Sequence, residues 1–188
     1  NRGDFSFWKS ELTELRGKTL GIIGFGRIGR RVAELGHAMG MSILAHTRTR
    51  RAPPNFEPFA WSELIPLVEQ ADVISLNCPL TEHTRHLVDA NLLTHFKRTA
   101  ILINAARGPL IQEADLAAAL NEGRLAAASL DVVSTEPIAA DNPLLSASNC
   151  FLTPHHAWAT LEARQRLMQV SVDNVANFLR GQPSNMVT

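Results

Sequence analysis

The chain has 188 residues, 45% of them hydrophobic and 19% charged, enough for one buried core and a small appendage. Lys plus Arg and Asp plus Glu each total 18, so no net field favours nucleic acid or an anionic membrane surface as a partner. No apolar run reaches the length of a membrane span. Two cysteines, Cys78 and Cys150, are too few for a disulfide scaffold. Both lie in apolar runs that read as strands, so buried, reduced thiols and a cytoplasmic location are expected. The opening Asn1-Arg2-Gly3-Asp4 is neither a start nor a signal peptide and reads as a chain entered partway.

Strand and helix patterns then alternate. Thr19 to Ile23 is a short apolar run, followed by Gly24-Phe25-Gly26-Arg27-Ile28-Gly29. Ile28, Val32, Leu35 and Met39 recur at helical spacing, which predicts an apolar helix face with a stop at Gly40. Ser42 to Ala45 reads as a second strand. Ser62 is a candidate cap for a helix through Gln70, with Pro66 tolerated only near the first turn. Asp72 to Leu76, Ala100 to Ile103 and Ala127 to Leu130 read as further buried strands. A helix over Gln112 to Asn121, closed by Gly123, separates the last two. Glu113 and Asp115 are charges that complement its dipole. Cys150 to Leu152 is one more strand, and a helix over Thr160 to Arg180 carries a stripe of Leu161, Met168, Val172, Val175 and Leu179. Gly181 and Pro183 end it. Pro53-Pro54 and the stretch Ser134 to Pro143 are the clearest loops. This alternation predicts an α/β fold, a Rossmann-type doubly wound parallel sheet with its ligand site beyond the carboxyl ends of the strands.

The glycine loop stands in the setting its mechanism needs, after a strand and opening a helix. Gly24 permits the tight turn, Gly26 lets backbone approach a pyrophosphate, and Gly29 lets helix and strand pack closely. The helix N-terminus then faces the phosphates. A carboxylate about 20 residues on normally holds the ribose of NAD. Here the second strand runs into His46-Thr47-Arg48-Thr49-Arg50-Arg51, and no acid appears until Glu57. Arg suits a 2′-phosphate, so Thr47, Arg48, Arg50 and Arg51 favour NADP over NAD, against the alternative of a solvated basic loop.

Three motifs follow three strands: Asn104-Ala105-Ala106-Arg107-Gly108, Leu130-Asp131-Val132-Val133-Ser134-Thr135-Glu136-Pro137, and Thr153-Pro154-His155-His156-Ala157-Trp158. Taken singly, Arg107 reads equally well as a surface charge, Glu136-Pro137 as a turn and His155 as a core histidine. Together, polar residues beyond three strands favour a site. His83, His86 and His156 show no metal-ligand spacing, so no metal is expected. His37, His46 and His95 read as solvated.

This pattern, from about Leu15 to Val187, resembles the D-isomer-specific 2-hydroxyacid dehydrogenases. Within that family, Pro154-His155-His156-Ala157-Trp158-Ala159 looks most like the glycerate dehydrogenase and hydroxypyruvate reductase branch. The resemblance implies an NAD(P)-dependent oxidoreductase acting on a small 2-oxo or D-2-hydroxy acid such as hydroxypyruvate, glyoxylate or D-glycerate. Its catalytic residues fall on Arg107, Glu136 and His155. Its cofactor contacts fall on Gly24, Gly26, Arg27, Ile28, Gly29, Cys78, Pro79, Thr84, Ala105, Ala106, Asp131 and Ala157, with Arg107, His155, Thr47 and Arg48 alongside. Thr47 stands where NAD-preferring members carry Asp. In such a site Arg107 binds the substrate carboxylate, His155 is the acid in reduction and the base in oxidation, and Glu136 favours and orients the imidazolium. Asp131 takes the nicotinamide carboxamide. The resemblance also implies a homodimer and a second, substrate-covering domain absent from this chain. Residues 1–16 are then an entry segment from it, 17–158 the dinucleotide-binding domain, and 159–188 the helix and tail leading back. The competing reading is a non-catalytic, dinucleotide-binding redox regulator of the same fold.

Overall fold

The computed structural model describes residues 12–187, so most of the predicted entry segment, residues 1–11, lies outside the described residues. The elements in order are β1 (Thr19–Ile23), α1 (Arg27–Ala38), β2 (Ser42–His46), β3 (Phe59–Trp61), α2 (Leu64–Gln70) and β4 (Val73–Leu76). They continue with α3 (Ala90–Leu93), β5 (Ile101–Asn104), α4 (Glu113–Asn121), β6 (Ala127–Leu130), β7 (Cys150–Leu152) and α5 (Leu161–Leu179). The seven strands form one sheet in the order β3-β2-β1-β4-β5-β6-β7. Every pairing is parallel. The predicted doubly wound sheet is therefore the one observed. Strand order reverses between β1 and β4, and a crevice opens beyond carboxyl ends at such a point.

The chain divides into two compact units, the first ending at Leu152 and the second beginning at Thr153. In the first, strand alternation feeds two cores. Leu20, Ile22, Ala33, Met41, Ile43 and Ala45 fill one face. Ile23, Leu67, Val68, Ile74, Leu76, Leu102, Leu116 and Leu130 belong to the larger core on the other.

Of the apolar stripe predicted for α1, only Val32 packs against the core, and it is half-buried. Ile28, Leu35 and Met39 are 70%, 53% and 57% exposed, while Gly29, Ala33 and Gly36 are buried. The cause is the closeness of helix to sheet. A Cβ at Gly36 would lie 2.5 Å from Leu20 Cδ2, and one at Gly29 would run into the Gly24 carbonyl oxygen. Only glycine or a comparably small residue fits at these points of closest approach.

The stops predicted at Gly40, Gly123 and Gly181 follow the last helical turns with φ of 81°, 63° and 71°. Ser62 does not cap α2: Glu63 is the N-cap residue, and the Ser62 hydroxyl donates to the Glu63 carbonyl at 3.0 Å. Pro66 does fall in the first turn. Strand β3 was not predicted. It is held by aromatic packing, with Phe25, Phe59 and Trp61 centroids 5.1 to 5.3 Å apart. In the second unit, the Thr160 hydroxyl caps α5 by accepting from the Ala163 N–H at 3.3 Å. The stripe predicted on α5 is exposed throughout.

Asp72, just before β4, fastens the amino ends of three strands. Its carboxylate accepts from the Thr19 N–H at 2.8 Å and from Lys97 Nζ at 2.9 Å. Burial pushes its pKa up, but the Thr19 N–H, the Lys97 ammonium and Lys18 outweigh this and hold it below the usual carboxylate range. A carboxyl depressed in the folded state stabilises above its unfolded pKa, and that stability disappears as pH falls through the folded one. Asp72→Ala is therefore expected to cost about 1 to 3 kcal/mol at neutral pH. The difference from the parent should shrink below about pH 4, read by urea unfolding across pH.

Candidate functional site

The reversal between β1 and β4 opens onto a cleft of about 800 Å³. Gly24, Phe25, Gly26 and Arg27 form one wall, Thr47, Arg48, Thr49 and Arg51 another, and Asn77, Cys78, Pro79, Thr81, His83 and Thr84 a third. Gly24 has φ of 96°, and a Cβ there would strike the backbone of Asn77 and Cys78. Glycine at this position thus follows from both conformation and packing. Gly26 differs: it is the N-cap of α1 with no side-chain cap, and a Cβ there would meet nothing within 4 Å. The protein's own packing does not require glycine at Gly26. The space beside this uncapped helix N-terminus is left open, and free N–H groups with a helix dipole are suited to an anion such as a phosphate.

The basic stretch after β2 is held from two sides. Arg30 Nη2 donates to the Ala52 carbonyl at 2.6 Å, and its guanidinium lies 5.1 Å from the Phe25 ring centroid. Arg50 Nη2 pairs with Glu63 Oε1 at 2.7 Å. Thr47, Arg48, Thr49 and Arg51 line the cleft, but Arg50 does not. Across the cleft, Thr84 braces its own loop. Its hydroxyl donates to the Pro79 carbonyl and accepts from the Thr81 N–H, both at 2.7 Å.

Of the predicted cofactor residues, Gly24, Gly26, Arg27, Thr47, Arg48, Cys78, Pro79 and Thr84 line this cleft. Ile28 is on the exposed side of α1, and Gly29 is buried beneath the turn. Ala105, Ala106 and Arg107 follow β5. The fully buried Asn104 shapes that turn: its Nδ2 donates to the Arg107 carbonyl at 2.9 Å and its Oδ1 accepts from the Ala106 N–H at 3.0 Å. The Arg107 side chain stays exposed, with Nη1 donating to the Ala106 carbonyl at 2.7 Å.

Asp131 follows β6 and is 8% exposed, and its N–H donates to the Asn104 carbonyl at 2.9 Å. The Glu136 carboxylate accepts from the Val133 N–H at 3.3 Å. Gly108 lies so close to Val133 and Ser134 that any Cβ would enter their backbone. The turns bearing Arg107 and Glu136 therefore abut. From sequence, Glu113 is expected to act only as a dipole charge. It does open α4, but its two oxygens accept from the Ser134 N–H at 2.6 Å and from Asn142 Nδ2 at 2.8 Å. Asp115 likewise accepts from the Ala90 N–H at 2.8 Å.

In the second unit, His155 has φ of 51°, a left-handed conformation sparsely used outside glycine. Its N–H donates to the Thr153 carbonyl at 3.0 Å, and its own carbonyl accepts from Trp158 Nε1 at 2.9 Å. His155 and Ala157 are exposed.

Several expectations need correction. Cys78 is not in a strand but just beyond β4, and both cysteines are half-buried rather than buried. Burial pushes both thiols up, Cys150 to about 11, so neither is a thiolate at neutral pH. His37, His46 and His95 are half-buried, not solvated. His37 stacks on Phe56 at 4.5 Å, His46 Nδ1 is 3.1 Å from the Ser62 carbonyl oxygen, and His95 Nδ1 is 3.0 Å from Glu69. The sequence also missed Asn77, Thr81 and His83 as cleft residues. Their signal was their place directly after an apolar strand adjoining β1. Among the described residues no group of His, Cys, Asp or Glu is placed to hold a metal, and no helix is long and apolar enough to cross a membrane.

Comparison with known proteins agrees with this architecture. Residues 2–157 match the family described as D-isomer specific 2-hydroxyacid dehydrogenase, NAD binding domain. The chain is similar to a hydroxypyruvate reductase of Blautia hydrogenotrophica, 48% identical over 184 residues, covering 98% of this chain and 57% of that protein. It is 41% identical to a glycerate dehydrogenase of Methylorubrum extorquens, over 97% of this chain and 57% of that one. Among solved structures, an acyclic imino acid reductase in complex with NADPH and D-Arg superposes with a TM-score of 0.84 at 34% identity. That match covers 94% of this chain and 55% of the other. The chain thus spans little more than half the length of these relatives. With a family match over most of its residues and these identities, the chain belongs to the D-isomer specific 2-hydroxyacid dehydrogenases, as their NAD-binding domain.

Proposed function

We propose that this chain is the dinucleotide-binding part of a longer, cytoplasmic, homodimeric enzyme. That enzyme reduces a small 2-oxo acid of the hydroxypyruvate or glyoxylate kind to its D-2-hydroxy acid. The observation that carries the reading is the cleft at the strand-order reversal, where Gly26 leaves free the space beside an uncapped helix N-terminus. The bound nicotinamide dinucleotide supplies hydride. The chain's own residues do the rest. Arg107 presents an exposed guanidinium whose parallel N–H groups fit a carboxylate and draw charge from the adjacent carbonyl. His155 donates a proton to the forming alkoxide, and Glu136 orients its imidazole. Asp131 accepts from the carboxamide. Residues 1–16 and 159–188 belong, in this reading, with the part of the enzyme that covers substrate. The direct test is loss of nicotinamide absorbance when the longer enzyme meets a panel of 2-oxo acids. No oxidation with any of them, despite tight dinucleotide binding, would favour the regulator.

The preferred dinucleotide is proposed to be NADPH. Thr47, Arg48 and Arg51 line the cleft without an acid among them, while Arg50 is engaged by Glu63. Thr47→Asp combined with Arg48→Gln is expected to reverse the preference, since the new carboxylate repels a 2′-phosphate and accepts from ribose hydroxyls. Calorimetric titration of the chain with NADPH and NADH reads this directly. Tighter NADH binding by the unmodified chain would sink the proposal.

A further inference from the structure

Glu113 has no part in the reading above, yet both oxygens of its carboxylate are engaged by the loop after β6. We propose that Glu113 is a positioning residue, whose carboxylate clasps the loop after β6 and so holds Glu136 in register with Arg107. The inference rests on the proposed role of Glu136.

The geometry has three parts. One Glu113 oxygen accepts from the Ser134 N–H at 2.6 Å, two residues before Glu136. The other accepts from Asn142 Nδ2 at 2.8 Å, on the far side of Glu136. The carboxylate therefore grips the loop on both flanks of the residue to be placed. Asn142 is itself fixed, because its Oδ1 accepts from the Leu144 N–H at 3.0 Å. The third part joins Glu113 to Arg107. A short 3₁₀ turn at Gly108–Leu110 leads from Arg107 toward α4, and Gly108 abuts Val133 and Ser134 with no room for a Cβ. A loop of exposed residues, 134–137, thereby acquires a fixed position from a carboxylate more than 20 residues away in sequence. Helix-dipole complementarity alone requires only a negative charge in the first turn, whereas the observed pairing uses both oxygens on specific donors.

The donor and acceptor pattern suggests a reciprocal exchange. Asn142→Asp keeps the acceptor for Leu144 but turns the Glu113-facing donor into a second carboxylate. Glu113→Gln keeps an acceptor for Ser134 but turns a donor toward Asn142. Made together, they restore one donor facing one acceptor. Each single variant in the longer enzyme is expected to lose about tenfold in turnover, with dinucleotide affinity changed less than about twofold. The double variant is expected to recover most of the turnover. In the 188-residue chain, the Ser134 amide resonance should move in Glu113→Gln, reporting the clasp without any catalysis. Parent-like turnover in both single variants would overturn the proposal. So would losses that the double variant does not recover, or dinucleotide affinity falling in step with turnover. A Glu136→Gln control separates the two ideas. If it retains full turnover, the role of Glu136 is wrong, and positioning it has no catalytic meaning even where the Ser134 resonance reports an intact clasp.

Discussion

In the longer enzyme, His155→Ala is expected to lower turnover by about 10² to 10⁴, the usual worth of a positioned general acid. Dinucleotide affinity should stay within about twofold, because the cleft walls are built from residues after β1, β2 and β4. Arg107→Met should act on the other half of the reaction. It removes two charge-assisted hydrogen bonds to the carboxylate, each worth about 1.5 to 3 kcal/mol. The expected result is a higher Michaelis constant for the 2-oxo acid together with lower turnover, since the same guanidinium holds the ground state and polarises the carbonyl. Steady-state absorbance kinetics with the 2-oxo acid varied at saturating dinucleotide separate the two outcomes. A His155→Ala enzyme with near-parent turnover would remove the proposed acid. An Arg107→Met enzyme with an unchanged Michaelis constant would mean that substrate is held elsewhere.

The fold was legible wherever a local pattern reflects a local cause. Short apolar runs separated by glycine stops predicted the parallel sheet, and the turn at Gly24 was readable because both its conformation and its packing demand glycine. Legibility failed where packing inverted the usual sign. Helix α1 hides glycine and alanine and exposes Ile28, Leu35 and Met39, because close approach to the sheet leaves room for nothing larger. Hydrophobic periodicity cannot find a buried face made of small residues. Strand β3 was invisible for a different reason. Three residues are too few for a period, and part of the aromatic packing on Phe59 and Trp61 comes from Phe25, far away in sequence. The site divides in the same way. Arg107, Glu136 and His155 stand out as candidates in the sequence because each follows a strand. Glu113 was found only as a charge, since its partners Ser134 and Asn142 lie 21 and 29 residues on. Arg50 was counted among the cleft arginines because nothing local shows that Glu63 takes it.

The 188-residue chain by itself is expected to bind dinucleotide and to turn over hydroxypyruvate at only a small fraction of the longer enzyme's rate. Binding should persist because the cleft at the β1/β4 reversal is walled entirely by residues between Ile23 and Leu87. Turnover should not, because the chain spans 57% of the hydroxypyruvate reductase it resembles, and in the proposed reading the part that covers substrate lies beyond that span. In the present chain the Arg107 side chain is exposed. A charged pair in open solvent is worth about 1 kcal/mol or less. Enclosing and orienting the reactants can contribute about 7 to 11 kcal/mol of barrier lowering, so its loss outweighs anything Arg107 retains. Titration of the nicotinamide fluorescence reports binding, and the absorbance assay on the same sample reports turnover. A fragment that binds and is nearly inactive is the expected result. One that matches the longer enzyme would show that the 188-residue chain holds everything the reaction needs, and one that does not bind would place the dinucleotide outside the cleft.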